Sequence, residues 1–131
     1  MRSIALAICG LAVALSLQCG GSTCNLDKHT ERVDAALKRW DAIVEIARQT
    51  PQELLEEPIS NLEEIHSEVA YYPPPTCATR AHAKLVKYMD HMIDGFRASM
   101  QLQSEENLLE HFIKAEAALD EYYEMIDKLH D

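Results

Sequence analysis

The segment Thr79-Arg80-Ala81-His82-Ala83-Lys84-Leu85-Val86-Lys87-Tyr88-Met89-Asp90-His91-Met92-Ile93-Asp94-Gly95-Phe96-Arg97-Ala98-Ser99-Met100 decides the fold. Within it Ala81, Leu85, Met89, Met92, Phe96 and Met100 recur every three or four residues, with Tyr88 beside them, which puts them on one face of a helix. Thr76 is the expected N-cap of this helix and its end is expected near Gln103.

The same period continues on both sides. Ser104, followed by Glu105 and Glu106, reads as the cap and acidic first turn of a further helix carrying Leu108, Phe112, Ala115, Leu119, Tyr122, Ile126 and Leu129. Upstream, Tyr71-Tyr72-Pro73-Pro74-Pro75 cannot be helical, because consecutive prolines remove amide donors and clash with the preceding turn. Before it, Ile59, Leu62, Ile65 and Val69 mark another helix, entered at the apparent capping box Thr50-Pro51-Gln52-Glu53 and restarted at Pro58. The first helix, from Leu26 to about Gln49, carries Val33, Leu37, Trp40, Val44 and Ala47. Four amphipathic helices with mostly short connections predict an all-α fold, a single up-down-up-down four-helix bundle over residues 26–131.

Charge is distributed by helix. The chain of 131 residues has 22 acids against 12 bases, a formal charge of −10, which argues against nucleic acid as a partner because phosphate contacts need clustered Lys and Arg. Residues 49–79 hold six acids and no Lys or Arg, residues 98–131 nine acids and two bases, and residues 80–97 four bases and two acids. The basic third helix is therefore expected to answer its two acidic neighbours within the chain.

Residues 1–24 are of a different kind. Arg2 is their only charge and Ile4–Leu17 is an almost unbroken apolar run of 14 residues, shorter than the roughly 20 needed to span a bilayer as a helix. This pattern predicts a signal peptide over 1–18 and a tether over 19–25. The stretch Leu17-Gln18-Cys19-Gly20-Gly21-Ser22 resembles the lipobox of bacterial lipoproteins, and that resemblance implies acylation of Cys19 and a membrane anchor through lipid only. Cleavage after Gly21 or Ser22, giving a soluble secreted or periplasmic protein, is the alternative.

Of the four cysteines, Cys9 falls in the segment expected to be removed, and acylation of Cys19 would leave Cys24 and Cys77. An even pair in an exported chain predicts one disulfide. The bundle brings these two to the N-termini of its parallel first and third helices, where they can meet.

Chemistry-bearing motifs are sparse. Glu63-Glu64-Ile65-His66 has the Glu-x-x-His spacing of di-iron bundles, but the second such motif that those centres require is missing, and His66 lies off the apolar stripe, facing solvent. Met89-Asp90-His91-Met92 offers soft donors, yet the thioethers belong to the core stripe and His91 points elsewhere. Cys77 and His82 lie five apart, off a shared helical face, so His82 is expected at the bundle rim or bonded to the proline connector. There is no Gly-rich phosphate loop, nucleophile elbow or Cys-x-x-Cys-His, and no catalytic residue, metal or cofactor is expected.

Finally, Pro74-Pro75-Thr76-Cys77-Ala78-Thr79-Arg80-Ala81-His82-Ala83-Lys84-Leu85, with Met89, Met92, Ile93, Gly95-Phe96 and Met100, resembles small uncharacterised exported bacterial helical proteins. That resemblance implies a helical module at the cell envelope and brings no activity or substrate. The expectation is a non-enzymatic interaction or structural module with a protein partner at the envelope. A soluble bundle binding a small ligand or metal through some of His82, Met89, His91 and Met92 is the alternative.

Overall fold

The computed structural model describes residues 24–130. Four helices account for nearly all of them: α1 (Leu26–Arg48), α2 (Glu56–Tyr71), α3 (Thr79–Met100) and α4 (Glu105–His130). Single 3-10 turns, Gln52–Leu54 and Thr76–Ala78, precede α2 and α3, and there is no strand among the described residues.

Residue pairing fixes the topology. Between α1 and α3, Cys24 meets Cys77, His29 meets His82 and Trp40 meets Tyr88, so both numbers rise together and the helices run parallel. Between α2 and α3 the pairs are Glu63 with Arg97 and His66 with Asp90; between α3 and α4 they are Lys84 with Glu121 and Phe96 with Phe112. One number falls as the other rises, so these neighbours are antiparallel. Arg32 over Tyr72 and Arg39 with Glu68 make α1 and α2 antiparallel too. The arrangement is the expected up-down-up-down bundle.

The core is the set of apolar stripes. Val33, Leu37, Trp40, Val44 and Ala47 of α1 are buried, as are Ile59, Leu62, Ile65 and Val69 of α2 and Ala81, Leu85, Tyr88, Met89, Met92 and Phe96 of α3. In α4 the stripe is buried at Ala115, Tyr122 and Ile126, whereas Leu108 is only half-buried and Leu129 is exposed. With 26 residues against 23 in α1 and 22 in α3, α4 outruns the helices beside it, and its ends have less to pack against.

Helix ends differ from expectation at two caps. The Thr50 hydroxyl donates to the Ile46 carbonyl at 2.6 Å, closing α1 instead of capping the next helix. A 3-10 turn intervenes and α2 begins at Glu56, with Pro58 in its first turn where no intrahelical donor is needed. Likewise Thr76 starts a 3-10 turn, its carbonyl accepting from the Thr79 hydroxyl at 3.1 Å, and α3 begins at Thr79. Ser104 does cap α4, accepting from the Asn107 amide at 3.2 Å. The α3 terminus closes with Gln103 N–H donating to Ala98 O and Leu102 N–H to Ser99 O, which places Leu102 in the left-handed region at φ 56°.

The basic third helix is answered as expected. Arg97 pairs with Glu63 on α2, and Lys84 with Glu121 on α4 at 3.0 Å. All four side chains are at least one-third solvent-accessible or close to it, so each pair contributes at most about 1 kcal/mol and mainly fixes register.

Candidate functional site

Two regions stand out at opposite ends of the bundle. The first gathers the start of α1, the start of α3 and the proline connector. Cys24 and Cys77 are paired there at disulfide distance, their Cα atoms 6.0 Å apart and 53 residues apart in sequence, as expected. Asn25 caps α1 by accepting from the Lys28 amide. The connector is held by Tyr72, whose ring lies 4.8 Å beneath the Arg32 guanidinium and whose hydroxyl donates to Glu68 at 2.6 Å. Glu68 is also bound by Arg39, and these donors, Arg39 first, hold its carboxyl below the usual range. Burial pushes the Tyr72 phenol up, and its bond to Glu68 adds to this.

Below the cysteine pair lie His29 and His82. Both are about 94% buried, at 6% exposure each, with ring centroids 5.3 Å apart in an edge contact. His82 thus sits inside the bundle, not at its rim, and it makes no side-chain hydrogen bond. Thr76 and Cys77 stay on the outside of the 3-10 turn, which lets α3 begin with His82 already aimed inward. Desolvation, the neighbouring His82 and Arg32 all lower the basicity of His29; desolvation also lowers that of His82, against an opposing pull from the Val69 carbonyl. Beside His29 a pocket of about 270 Å³ opens between the first turn of α1 and the connector, lined by Asn25, Lys28, His29, Arg32, Pro73 and Pro75.

The second region is an apolar groove of about 340 Å³ between the end of α1 and the first half of α4. Its floor is Tyr88 and Met92 of α3, its wall Leu109, Phe112 and Ile113 of α4, and Arg48 and Glu116 stand at its edge. Leu109 and Ile113 are each 58% exposed, and Ile46, Leu54 and Leu102 are exposed at this same end. Exposed aliphatic side chains thus gather toward the end farthest from Cys24, while Tyr71 and Leu129 are exposed at the Cys24 end.

The remaining candidates separate. Met89 and Met92 are core residues and His91, half-buried, is apart from them in orientation. His66 corrects the expectation of a solvent-facing side chain: it is half-buried, with Nε2 2.6 Å from the Asp90 carboxylate across the α2–α3 seam. Among the described residues, no group of three or more His, Cys, Asp and Glu side chains converges as a metal site would. Cys19, expected to carry lipid, lies outside the described residues, as does the expected signal segment.

His29 was not legible as a site residue on its own. A signal was nonetheless present: Cys24 to His29 and Cys77 to His82 are both intervals of five, on two helices expected to run parallel. The groove was flagged only by Leu109 and Ile113, apolar residues that fall off the α4 stripe.

No protein-family model, curated protein or solved structure matches the chain.

Proposed function

We propose that the chain is an exported helical-bundle module, anchored by lipid on Cys19 and acting without enzymatic chemistry as an interaction or structural element of a bacterial cell envelope. The observation that carries this reading is the Cys24–Cys77 pair at disulfide distance across two helix N-termini. Such a bond persists in oxidising, extracytoplasmic compartments and is reduced in a cytosol. The apolar leader followed by Cys19-Gly20-Gly21-Ser22 agrees with export and with a short flexible tether.

No helix among the described residues is long and apolar enough to cross a membrane, and in this reading the bilayer is met through the lipid. The tether joins the bundle at the Cys24 end, while the exposed Ile46, Leu109 and Ile113 collect at the opposite end, where a partner protein would find them.

Intact mass of the protein recovered from an expressing bacterium tests the anchor. A diacylglyceryl mass on a chain beginning at Cys19 is expected, and a chain beginning at Ser22 or Thr23 without lipid would replace the anchored form with a soluble exported one. Non-reducing peptide mapping tests export itself: a Cys24–Cys77 linked peptide is expected, and two free thiols in freshly recovered protein would overturn it.

A further inference from the structure

Buried polar nitrogen without a partner is costly, and a folded chain keeps few such groups. Here one layer holds three of them: Nε2 of His29 and both ring nitrogens of His82 are buried and lack hydrogen-bond partners. The rings touch each other, edge to face, directly below the cysteine pair.

Neither ring is hydrogen-bonded to a carboxylate. On α1, Arg32 acts on His29 and Lys28 stands at the pocket mouth, with Asp27 and Glu31 exposed beside them. On α2 the Val69 backbone carbonyl faces His82, while Glu68 is engaged by Arg39 and the Tyr72 hydroxyl. The connector brings Pro73 and Pro75. On α3 and α4, Arg80 and Lys128 stand around a small hollow that also includes Cys77 and Met125, with Glu124 paired to Lys128 and Asp127 beside it in sequence. The charged side chain that bears directly on His29 is the cation Arg32. Solvent, meanwhile, is one side chain away, in the pocket beside His29.

We propose that the His29–His82 pair makes the stapled end of the bundle an acid-responsive latch. Two neutral imidazoles seal this end; a proton on His29 is placed between the Arg32 cation and the His82 ring, a proton on His82 lies in the buried layer with only the Val69 carbonyl to face it, and the low-cost outcome is to bring the charged imidazole to water. The connector and the first turns of α1 and α3 then open, and the Cys24–Cys77 bond keeps the two helices joined so that the end recloses. The inference rests on the fold and not on the proposed anchoring.

Proton counting sets the direction. In the open chain each histidine takes its proton near pH 6.5, and in the closed fold both resist it, so the opened form binds more protons below that pH. The closed form is at full strength above about pH 6.5 and weakens as pH falls, by up to about 100-fold in the opening equilibrium per pH unit when both imidazoles charge only in the open form.

Proton NMR of the imidazole C2–H signals, with amide hydrogen exchange on the same full-length samples from pH 7.5 to 5, tests this. The expected result is that His29 and His82 titrate below the ordinary histidine range and that amide protection falls in residues 26–33 and 78–85 over the same interval, while residues 40–47 keep theirs. Ordinary titration of both rings with unchanged protection would overturn the latch. The paired variant His29→Gln with His82→Gln is expected to flatten the pH dependence of opening; an unchanged pH dependence in a folded variant would also overturn it. If that variant does not fold, the titration and exchange of the unaltered chain decide alone.

Discussion

Trp40 donates its indole N–H to the Tyr88 hydroxyl at 2.9 Å, and the two rings, one on α1 and one on α3, lie with centroids 5.9 Å apart. Trp40 is fully buried, so this bond is the only one its nitrogen makes. It links the parallel helices across the centre of the bundle, and Tyr88 also forms part of the groove floor. The single tryptophan is therefore coupled through one hydroxyl to the apolar groove.

Removing that hydroxyl leaves a buried donor unsatisfied. Tyr88→Phe is expected to destabilise the fold by about 1–3 kcal/mol, with a shift in Trp40 emission. Urea unfolding followed by tryptophan fluorescence measures both, and a loss below about 0.5 kcal/mol would remove the central role given to this bond.

Gly95 faces the Phe112 ring. A Cβ built there would come within 2.6 Å of Phe112 Cε1, and the ring, half-buried against Phe96 at the groove edge, would have to move. Alanine offers about 1 kcal/mol of helix propensity, while crowding costs about 1–3 kcal/mol. Gly95→Ala is expected to be destabilising in the native chain and stabilising when combined with Phe112→Leu. A double-mutant cycle reads the coupling directly.

Leu102 occupies the left-handed position after α3 that glycine normally fills, with 73% of its surface in water. Leu102→Gly is expected to raise stability by about 0.5–1 kcal/mol, since relief of backbone strain exceeds the extra freedom gained by the unfolded chain. Thermal unfolding at matched pH checks it.

Cleaving the Cys24–Cys77 link opens a loop spanning 53 residues. The chain-entropy relation sets the cost at about 4 kcal/mol, read as a lower urea midpoint for the Cys24→Ser, Cys77→Ser chain. Ile113→Lys, by contrast, changes an exposed groove residue and is expected to leave stability within about 0.5 kcal/mol. If it destabilises strongly, the groove is a structural seam and not a contact face.

Glu68 sets the acid limb of the stability curve. Its carboxyl is held low by Arg39 and Tyr72, so its contribution is present above about pH 4.5 and is lost as pH falls through its lowered value. Glu68→Gln is expected to cost about 0.2–1 kcal/mol at pH 6, a small figure because the pair is solvent-accessible, and progressively less as pH falls below about 4.5. This limb lies below the histidine interval, so the two can be measured separately.

The fold was legible because its periodicity is long and consistent. Stripes such as Leu85-Met89-Met92-Phe96 recur over several turns in each of four segments, and burial follows them closely in the first three helices and at Ala115, Tyr122 and Ile126 of α4. Caps were less legible: Thr50 and Thr76 have the right chemistry for an N-cap, but the hydroxyl of one closes the preceding helix and the other begins a 3-10 turn. Those choices depend on where the next helix must go, which is a tertiary property. Leu102 gave no signal either, since nothing local marks a leucine for the left-handed region.

The candidate site was legible in its cysteines and opaque in its histidines. Pairing of Cys24 with Cys77 follows from helix count and direction. Burial of His82 does not, because Cys77 and His82 do not share one continuous helix: the 3-10 turn over Thr76–Ala78 resets the phase between them.

Cys24 stands just ahead of α1, and it is covalently tied to the start of α3. A pull applied to the chain ahead of Cys24 therefore does not peel α1 off turn by turn. The load passes through the sulfur bridge into two parallel helices at once, and those helices are loaded in shear along their length, the direction in which many packed side chains must slip together. A bundle tethered at that point is mechanically a clevis, gripping with two arms what a single strand would otherwise unzip.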